Sequence, residues 1–251
     1  MRYSIILCIF SFYASAQSAF NSDRPGQSYS PISLEARQIV VQQGFEFGAA
    51  LLDSITTQRN TSYFTEVRVG LGENFEAGLG YGNQWLNNTI TDNNFNLQAA
   101  QNPWLMLRYS LNLNSPKWHL GFLVRSQINN LEYRGILSYD FLEDLSFTIN
   151  YGIFHDGERV DGFYTINASY AYQRFSYFIE AYGANYYTIG GRDFRAYNMG
   201  GSYSFSPNFQ MEIFAGWQRS RFNQNVTQPF INAGFSWLID FQKEEEEEKD
   251  L

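Results

Sequence analysis

The segment INAGFSWLIDF, residues 231–241, decides the fold of this chain. Its odd-numbered residues are all apolar, whereas its even-numbered residues are small or polar except for Leu238. Successive side chains of a β-strand point to opposite faces, so the segment predicts a strand with one apolar face and one polar face. Its 11 residues also match the length that a tilted strand needs to cross a bilayer.

The same alternation recurs along the chain from residue 38 onward. It predicts 12 strands, at 38–50, 61–71, 75–85, 103–113, 117–127, 131–141, 145–154, 163–173, 175–185, 194–205, 208–218 and 229–241. Gly, Ser, Asn and Thr dominate one face of these strands, and the opposite face has almost no charge. A soluble β-sandwich would instead turn a polar face to water and pack its larger apolar residues in a core.

The predicted connections alternate between two kinds. Short turns lie at 72–74, 114–116, 142–144, 174 and 206–208, and mostly longer polar loops lie at 51–60, 86–102, 128–130, 155–162, 186–193 and 219–228. Short periplasmic turns and long extracellular loops are typical of outer-membrane barrels, and aromatic residues cluster near both strand ends as interfacial girdles would. We therefore predict an all-β, antiparallel, up-and-down transmembrane β-barrel in the bacterial outer membrane, over residues 38–241.

The composition excludes other classes of protein. Hydrophobic residues make up 44% of the chain and aromatic residues 18%, which is too apolar for a disordered protein. After residue 20 no stretch approaches 18 consecutive apolar residues, so the chain is not a helical membrane protein. The net charge of -8 argues against a nucleic-acid partner, which would require a basic face.

The N-terminus has the pattern of a secretory signal peptide. Arg2 precedes an apolar run at 5–13, and Ala14-Ser15-Ala16 forms a small-residue cleavage site, so we predict a signal peptide at 1–16. The only cysteine, Cys8, lies in this run. The mature chain then has no cysteine for a disulfide or a metal site.

Two polar segments flank the predicted barrel. Residues 17–37 contain Pro25, Gly26 and Pro31 and are too polar to span a bilayer. They form either a flexible periplasmic lead or a partial plug in the lower mouth of the barrel. Residues 242–251 include a run of glutamates and are interpreted as a solvated periplasmic tail.

Several motifs resemble those of a known family. They are DRPG at 23–26, QGFEFG at 43–48, EVRVGL at 66–71, FEAGLGY at 75–81, LSYDF at 137–141, YFIEAYG at 177–183 and SPNFQ at 206–210. In type and order they resemble the outer-membrane family labelled putative MetA-pathway of phenol degradation. The resemblance implies an outer-membrane barrel that moves small organic compounds, aromatic ones among them, and it brings no catalytic residues.

The polar face of the predicted strands carries charges of both signs, which we expect to line the lumen. They are Glu46, Glu66, Arg68, Glu76, Arg108, His119, Arg125, Glu132, Arg134, Asp140, Glu180 and Glu212, and all but Glu132 and Asp140 are our candidates for selectivity. They either line a constriction that sorts solutes by charge and size, or pair across a narrow interior and close it. The function predicted is a passive channel for small solutes, with a closed structural or surface-interaction barrel as the alternative.

An enzyme is the less favoured class. A lipid hydrolase needs a nucleophile, a histidine base and an orienting group, and no serine lies convincingly beside His119 or His155 in the sequence. The acidic loop with Asp156, Glu158 and Asp161 lacks EF-hand spacing. We therefore predict no catalytic residue, no metal and no cofactor. The expected partners are outer-membrane lipids, a small-molecule solute and the barrel-assembly machinery.

Overall fold

The computed structural model describes residues 28–51, 56–90, 93–128, 130–155, 160–186, 194–220 and 227–241. These residues form 12 strands, namely β1 (Gln38–Leu51), β2 (Thr56–Gly70), β3 (Phe75–Ile90), β4 (Asn93–Leu111), β5 (Trp118–Gln127), β6 (Asn130–Asp140), β7 (Leu145–His155), β8 (Val160–Tyr172), β9 (Phe175–Tyr186), β10 (Phe194–Ser206), β11 (Phe209–Ser220) and β12 (Thr227–Asp240). The predicted signal peptide, residues 17–27 and the acidic tail lie outside the described residues.

The strands close into a single barrel. Each strand pairs antiparallel with its neighbours in the chain, and β1 pairs with β12, with Gln38 opposite Asp240 and Val41 opposite Trp237. Closure leaves none of the described strands with an open edge, so the barrel satisfies its backbone hydrogen bonds within its own wall, as a structure inside lipid must. The predicted all-β, up-and-down antiparallel barrel of 12 strands is confirmed.

The two faces of the wall differ as the alternation predicts. On β11 the side chains of Gln210, Glu212 and Phe214 are buried inside, whereas Met211 and Ile213 are exposed on the outside. Exposed Leu, Ile, Phe and Tyr residues cover the outer surface of the other strands too. This apolar exterior is the lipid-facing surface of a transmembrane barrel. Among the described residues, no helix is long and apolar enough to cross a membrane.

Three strands extend at least five residues further at the loop end than the alternation predicts, and β8, β11 and β12 extend two or three residues further. The structure places β2 from Thr56, β3 to Ile90 and β4 from Asn93, so the predicted loops at 51–60 and 86–102 are largely strand and those predictions are wrong. Alternation reports contact with lipid, whereas the backbone pairing of these strands continues beyond the stretch that alternates. The pattern therefore ends before the hydrogen-bonded ladder does.

A tight turn sends the segment before β1 back into the barrel. The Gln38 amide donates to the Glu35 carbonyl over 3.2 Å, and Arg37 has a left-handed φ of 66°. Leu34 packs with Val40 of β1 and Leu238 of β12 in a small buried apolar cluster. The chain thus reverses at the periplasmic end, and residues 28–34 lie inside the lumen and contact its wall.

Candidate functional site

The ten predicted selectivity residues all occupy inward-facing strand positions. They come from strands β1 to β6, β9 and β11. Seven of them are buried and three are partly exposed: the buried ones are Glu66, Arg68, Glu76, Arg108, Arg134, Glu180 and Glu212, and the others are Glu46, His119 and Arg125. Most of these inward-facing charges are therefore shielded from water.

Glu76 is the centre of the first ion-pair cluster. Arg68 Nη1 donates to its Oε1 over 3.1 Å, and Arg108 Nη1 lies 3.7 Å from its Oε2. On the other side of Arg68, its Nε lies 3.8 Å from Glu66 Oε1, and Trp104 Nε1 donates to Glu66 Oε2 over 2.8 Å. The side chains of Arg68, Glu76 and Arg108 are 0% exposed, so their charges are compensated within the protein.

Glu132 is the centre of the second cluster. Its Oε2 accepts from Arg125 Nη2 over 2.5 Å, and its Oε1 accepts from Arg134 Nη2 over 2.7 Å and Nε over 2.9 Å. Arg134 Nη1 also donates to Asn150 Oδ1 over 3.2 Å. The register explains the contacts, because Arg125 is directly opposite Glu132 across β5 and β6, and Arg134 follows two residues later on the same face.

Residues 28–36, here called the N-terminal segment, are hydrogen-bonded to the lumen wall near both ends. The Ser28 amide and hydroxyl donate to Glu180 Oε1 over 2.7 Å and 2.5 Å. At the other end the Leu34 amide donates to Glu76 Oε2 over 2.9 Å. Because Glu180 is on β9 and Glu76 is on β3, the segment crosses the interior from one side of the barrel towards the other.

Between these ends the segment packs closely against β4 and β5. Ser110 Oγ donates to the Pro31 carbonyl over 2.7 Å, and the Ser33 amide donates to Ser110 Oγ over 2.6 Å. Gly121 faces Pro31 so closely that a Cβ atom there would lie 2.8 Å from the Pro31 Cα. Glycine is therefore required at this position for the segment to approach the wall.

Tyr29 contacts the second cluster. Its backbone amide donates to Asn150 Oδ1 over 2.8 Å, and its carbonyl accepts from Asn150 Nδ2 over 3.1 Å. Its ring lies 4.5 Å from the Arg134 guanidinium carbon and 5.5 Å from that of Arg108. Its hydroxyl accepts from Arg125 Nη1 over 3.4 Å. The segment thus places an aromatic ring among three arginines.

Aromatic side chains fill another part of the interior. Phe214 packs edge-on against Phe178, with ring centroids 5.7 Å apart, and against Phe230 at 6.5 Å. Tyr182 packs against the same group. Phe178 and Tyr182 belong to β9, which also holds Glu180, whereas Phe214 belongs to β11 and Phe230 to β12. The lumen is therefore narrowed by the rings as well as by the N-terminal segment.

His119 lies near the periplasmic end of the wall. Its Nε2 is 2.9 Å from Asp140 Oδ2, and both side chains are partly exposed. Ser138 is opposite His119 in the register, but its hydroxyl donates to the Phe147 carbonyl and contacts Thr148 Oγ1. This geometry does not form a serine and histidine pair for nucleophilic attack. Residues 156–159 of the acidic loop lie outside the described residues.

Tyr29 and Asn150 are the residues that the sequence prediction missed. Asn150 is an ordinary member of the polar face of β7, and Tyr29 lies in a Ser- and Pro-rich segment without periodicity. The only feature of the sequence that could have indicated this contact is that Tyr29 is the single aromatic residue between Phe20 and Phe45. Its contact with the arginines depends on the chain reversal before β1, which no local pattern reports.

No protein-family model and no curated protein sequence matches this chain. Among solved structures it is similar to an outer-membrane channel from Pseudomonas putida F1, with a TM-score of 0.64 at 8% identity, over 86% of this chain and 100% of that one. The NanC porin has a TM-score of 0.51 at 16% identity, over 78% of this chain and 98% of that one. The translocator domain of the autotransporter NalP from Neisseria meningitidis has a TM-score of 0.52 at 11% identity, over 80% and 87%.

These likenesses establish the fold. Together with the apolar exterior, the closed barrel confirms the predicted location in the bacterial outer membrane. The same fold appears in a channel, a porin and a translocator domain. Fold alone therefore does not select a function, and the function must be argued from the lumen.

Proposed function

We propose that the protein is a passive outer-membrane channel for small organic solutes, aromatic ones among them, and a member of the family that its motifs resemble. The observation that carries the proposal is the lumen wall, whose inward face holds charged residues of both signs on eight of the 12 strands. Ionisable residues inside a membrane are costly and mark solute pathways. Two of the structures with the same fold are an outer-membrane channel and a porin, which agrees with this proposal.

Selectivity is assigned to the lumen charges that a solute reaches. Glu46, His119 and Arg125 are the partly exposed members of the ten candidates, and the Arg125 side chain is 27% exposed. The buried members, such as Arg68 and Glu76, shape the wall by pairing with one another. This division combines the two alternatives from the sequence: some charges sort solutes and others hold the interior together.

The proposal also covers the partners of the barrel and the two segments that flank it. Outer-membrane lipids are the partners of its apolar exterior, and the barrel-assembly machinery is the partner that inserts it. Residues 1–16 are a signal peptide, which delivers the chain for export, and residues 242–251 are a periplasmic tail. The protein acts without a catalytic residue or a cofactor, because a passive channel requires neither.

A closed barrel is the second candidate function, and the N-terminal segment favours it. The segment crosses the lumen from Glu180 to Glu76 and is hydrogen-bonded at both ends. If the segment never leaves, the protein has a structural or surface-interaction role and no permeation. The two functions differ in one measurable property, which is conductance.

Conductance in planar lipid bilayers tests the proposal. We expect discrete openings from the wild-type protein, and larger openings after deletion of residues 28–36, which removes the segment but leaves all 12 strands. Heat-modifiable migration in gels verifies that both proteins are folded barrels. If folded wild-type protein and the folded deletion variant both fail to conduct, the channel proposal is wrong. Conductance from the deletion variant alone would support the closed barrel as the native state.

A further inference from the structure

Arg134 forms a planar platform inside the lumen. Its guanidinium carbon lies 4.6 Å from the ring centroid of Phe163 and 4.5 Å from that of Tyr29. Both distances are within the range of a cation–π contact. Phe163 belongs to β8 and is part of the wall, whereas Tyr29 belongs to the N-terminal segment. One of the two rings that contact Arg134 is therefore supplied by a part of the chain that is not in the barrel wall.

The platform is held in place without Tyr29. Glu132 Oε1 accepts two hydrogen bonds from Arg134, and Asn150 Oδ1 accepts a third. Glu132 is itself held by Arg125 from the next strand. A guanidinium fixed by its neighbours keeps its orientation when one stacking partner leaves, because little side-chain entropy remains to be lost. The Arg134 platform is thus preorganised to stack against a planar ring.

The phenol of Tyr29 stacks on the Arg134 platform but makes only a weak contact with Arg125. Its hydroxyl is 3.4 Å from Arg125 Nη1, which is a long hydrogen bond. A carboxylate on a six-membered ring extends further than a hydroxyl and accepts charge-assisted hydrogen bonds.

We propose that Arg134, Phe163, Arg125 and Asn150 form a binding site for monocyclic aromatic carboxylates, and that Tyr29 occupies this site as an internal ligand. The proposal rests on the channel function above and names its solute class. A flat ring replaces the Tyr29 ring on Arg134, and the carboxylate meets Arg125.

An internal ligand weakens the apparent affinity for an external one. The apparent dissociation constant equals the intrinsic constant divided by the fraction of molecules whose site is vacant. Tyr29 is held by two backbone hydrogen bonds to Asn150 in addition to its ring contacts, so the vacant fraction is small. Removal of the ring is expected to strengthen binding of an aromatic acid by about tenfold or more.

Calorimetric titration of the detergent-solubilised full-length protein with benzoate tests the site. We expect the Tyr29→Ala variant to bind benzoate at least about tenfold more tightly than the wild type does. Tyr29→Phe keeps the ring and is expected to behave like the wild type. Ile32→Ala is the matched control, because Ile32 belongs to the same segment but its side chain is 47% exposed. Deletion of residues 28–36 removes the same ring by another route and is expected to reproduce the Tyr29→Ala result.

The planar platform has its own test. Cyclohexanecarboxylate carries the same charge as benzoate but has no π face, so its affinity for the Tyr29→Ala variant is expected to be much weaker. Adding Arg134→Lys, which keeps the charge but loses the planar guanidinium, is expected to abolish the preference for benzoate. Equal binding of the two acids, or equal benzoate affinity in wild type and Tyr29→Ala, would overturn the proposal. Binding without conductance would refute the channel, and conductance without this binding would refute the site.

Discussion

Glu132 and Asp140 lie on the same strand and face the same lumen, but their surroundings predict different responses to the loss of charge. The Glu132 side chain is 4% exposed and accepts hydrogen bonds from two guanidiniums, whereas Asp140 is 39% exposed and pairs with His119 at 2.9 Å. We consider Glu132→Gln and Asp140→Asn, which preserve shape and remove one negative charge each. The pair isolates burial as the variable.

The expected magnitudes follow from the geometry. Removing one partner of a buried ion pair costs about 3–5 kcal/mol, because the remaining charge stays uncompensated. Since Arg125 is 27% exposed and water compensates part of its charge, we expect the lower end of that range, about 3 kcal/mol, for Glu132→Gln. The exposed pair at Asp140 is screened by water, so Asp140→Asn is expected to cost below about 1 kcal/mol.

Equilibrium unfolding in urea measures both values. The barrel is refolded into phosphatidylcholine vesicles, and its tryptophan fluorescence reports the transition. A shift of the midpoint at constant slope indicates a change in the free energy of unfolding. If the two variants lose similar stability, or if Glu132→Gln loses less than about 1 kcal/mol, the buried cluster around Glu132 does not stabilise the barrel and our electrostatic reasoning is refuted.

Three further predictions use the same assays. Ile213→Arg places a charge on the lipid face near the middle of β11. Unfolding in vesicles is expected to show a loss of about 2–4 kcal/mol relative to Ile213→Ala. Equal stability of the two variants would mean that this face does not contact lipid. Gly121→Ala brings a Cβ to 2.8 Å from Pro31 Cα and is expected to displace the N-terminal segment, so that conductance rises while the barrel stays folded; unchanged conductance would contradict the proposed blockage. Arg125→Gln is expected to shift ion selectivity, measured as reversal potential, and to lower stability less than Arg108→Gln does, because Arg134 still pairs with Glu132 whereas the Arg108 side chain is 0% exposed; the reverse result would exchange their assigned roles.

The strands and their two faces could be predicted from the sequence because both depend on local chemistry. Ile213 faces lipid and its neighbour Glu212 faces the lumen, and the sequence shows this as an alternation of apolar and polar residues. The loop ends of β2, β3 and β4 were missed, since backbone pairing there continues beyond the stretch with clear period-2 alternation. Polar hairpins in water leave no period-2 signature.

The pairing of the lumen charges was decided by tertiary structure. The sequence identified Glu132 and Arg125 as inward residues, but only the register between β5 and β6 makes them direct neighbours. The position of Tyr29 depends on even longer-range geometry, because it contacts Asn150 of β7 and Arg134 of β6 after the reversal at Arg37. Periodicity determines which face of the strand a side chain occupies, whereas closure of the barrel determines which residues it contacts. The closed lumen brings together groups more than 100 positions apart in the chain, such as Tyr29 and Asn150.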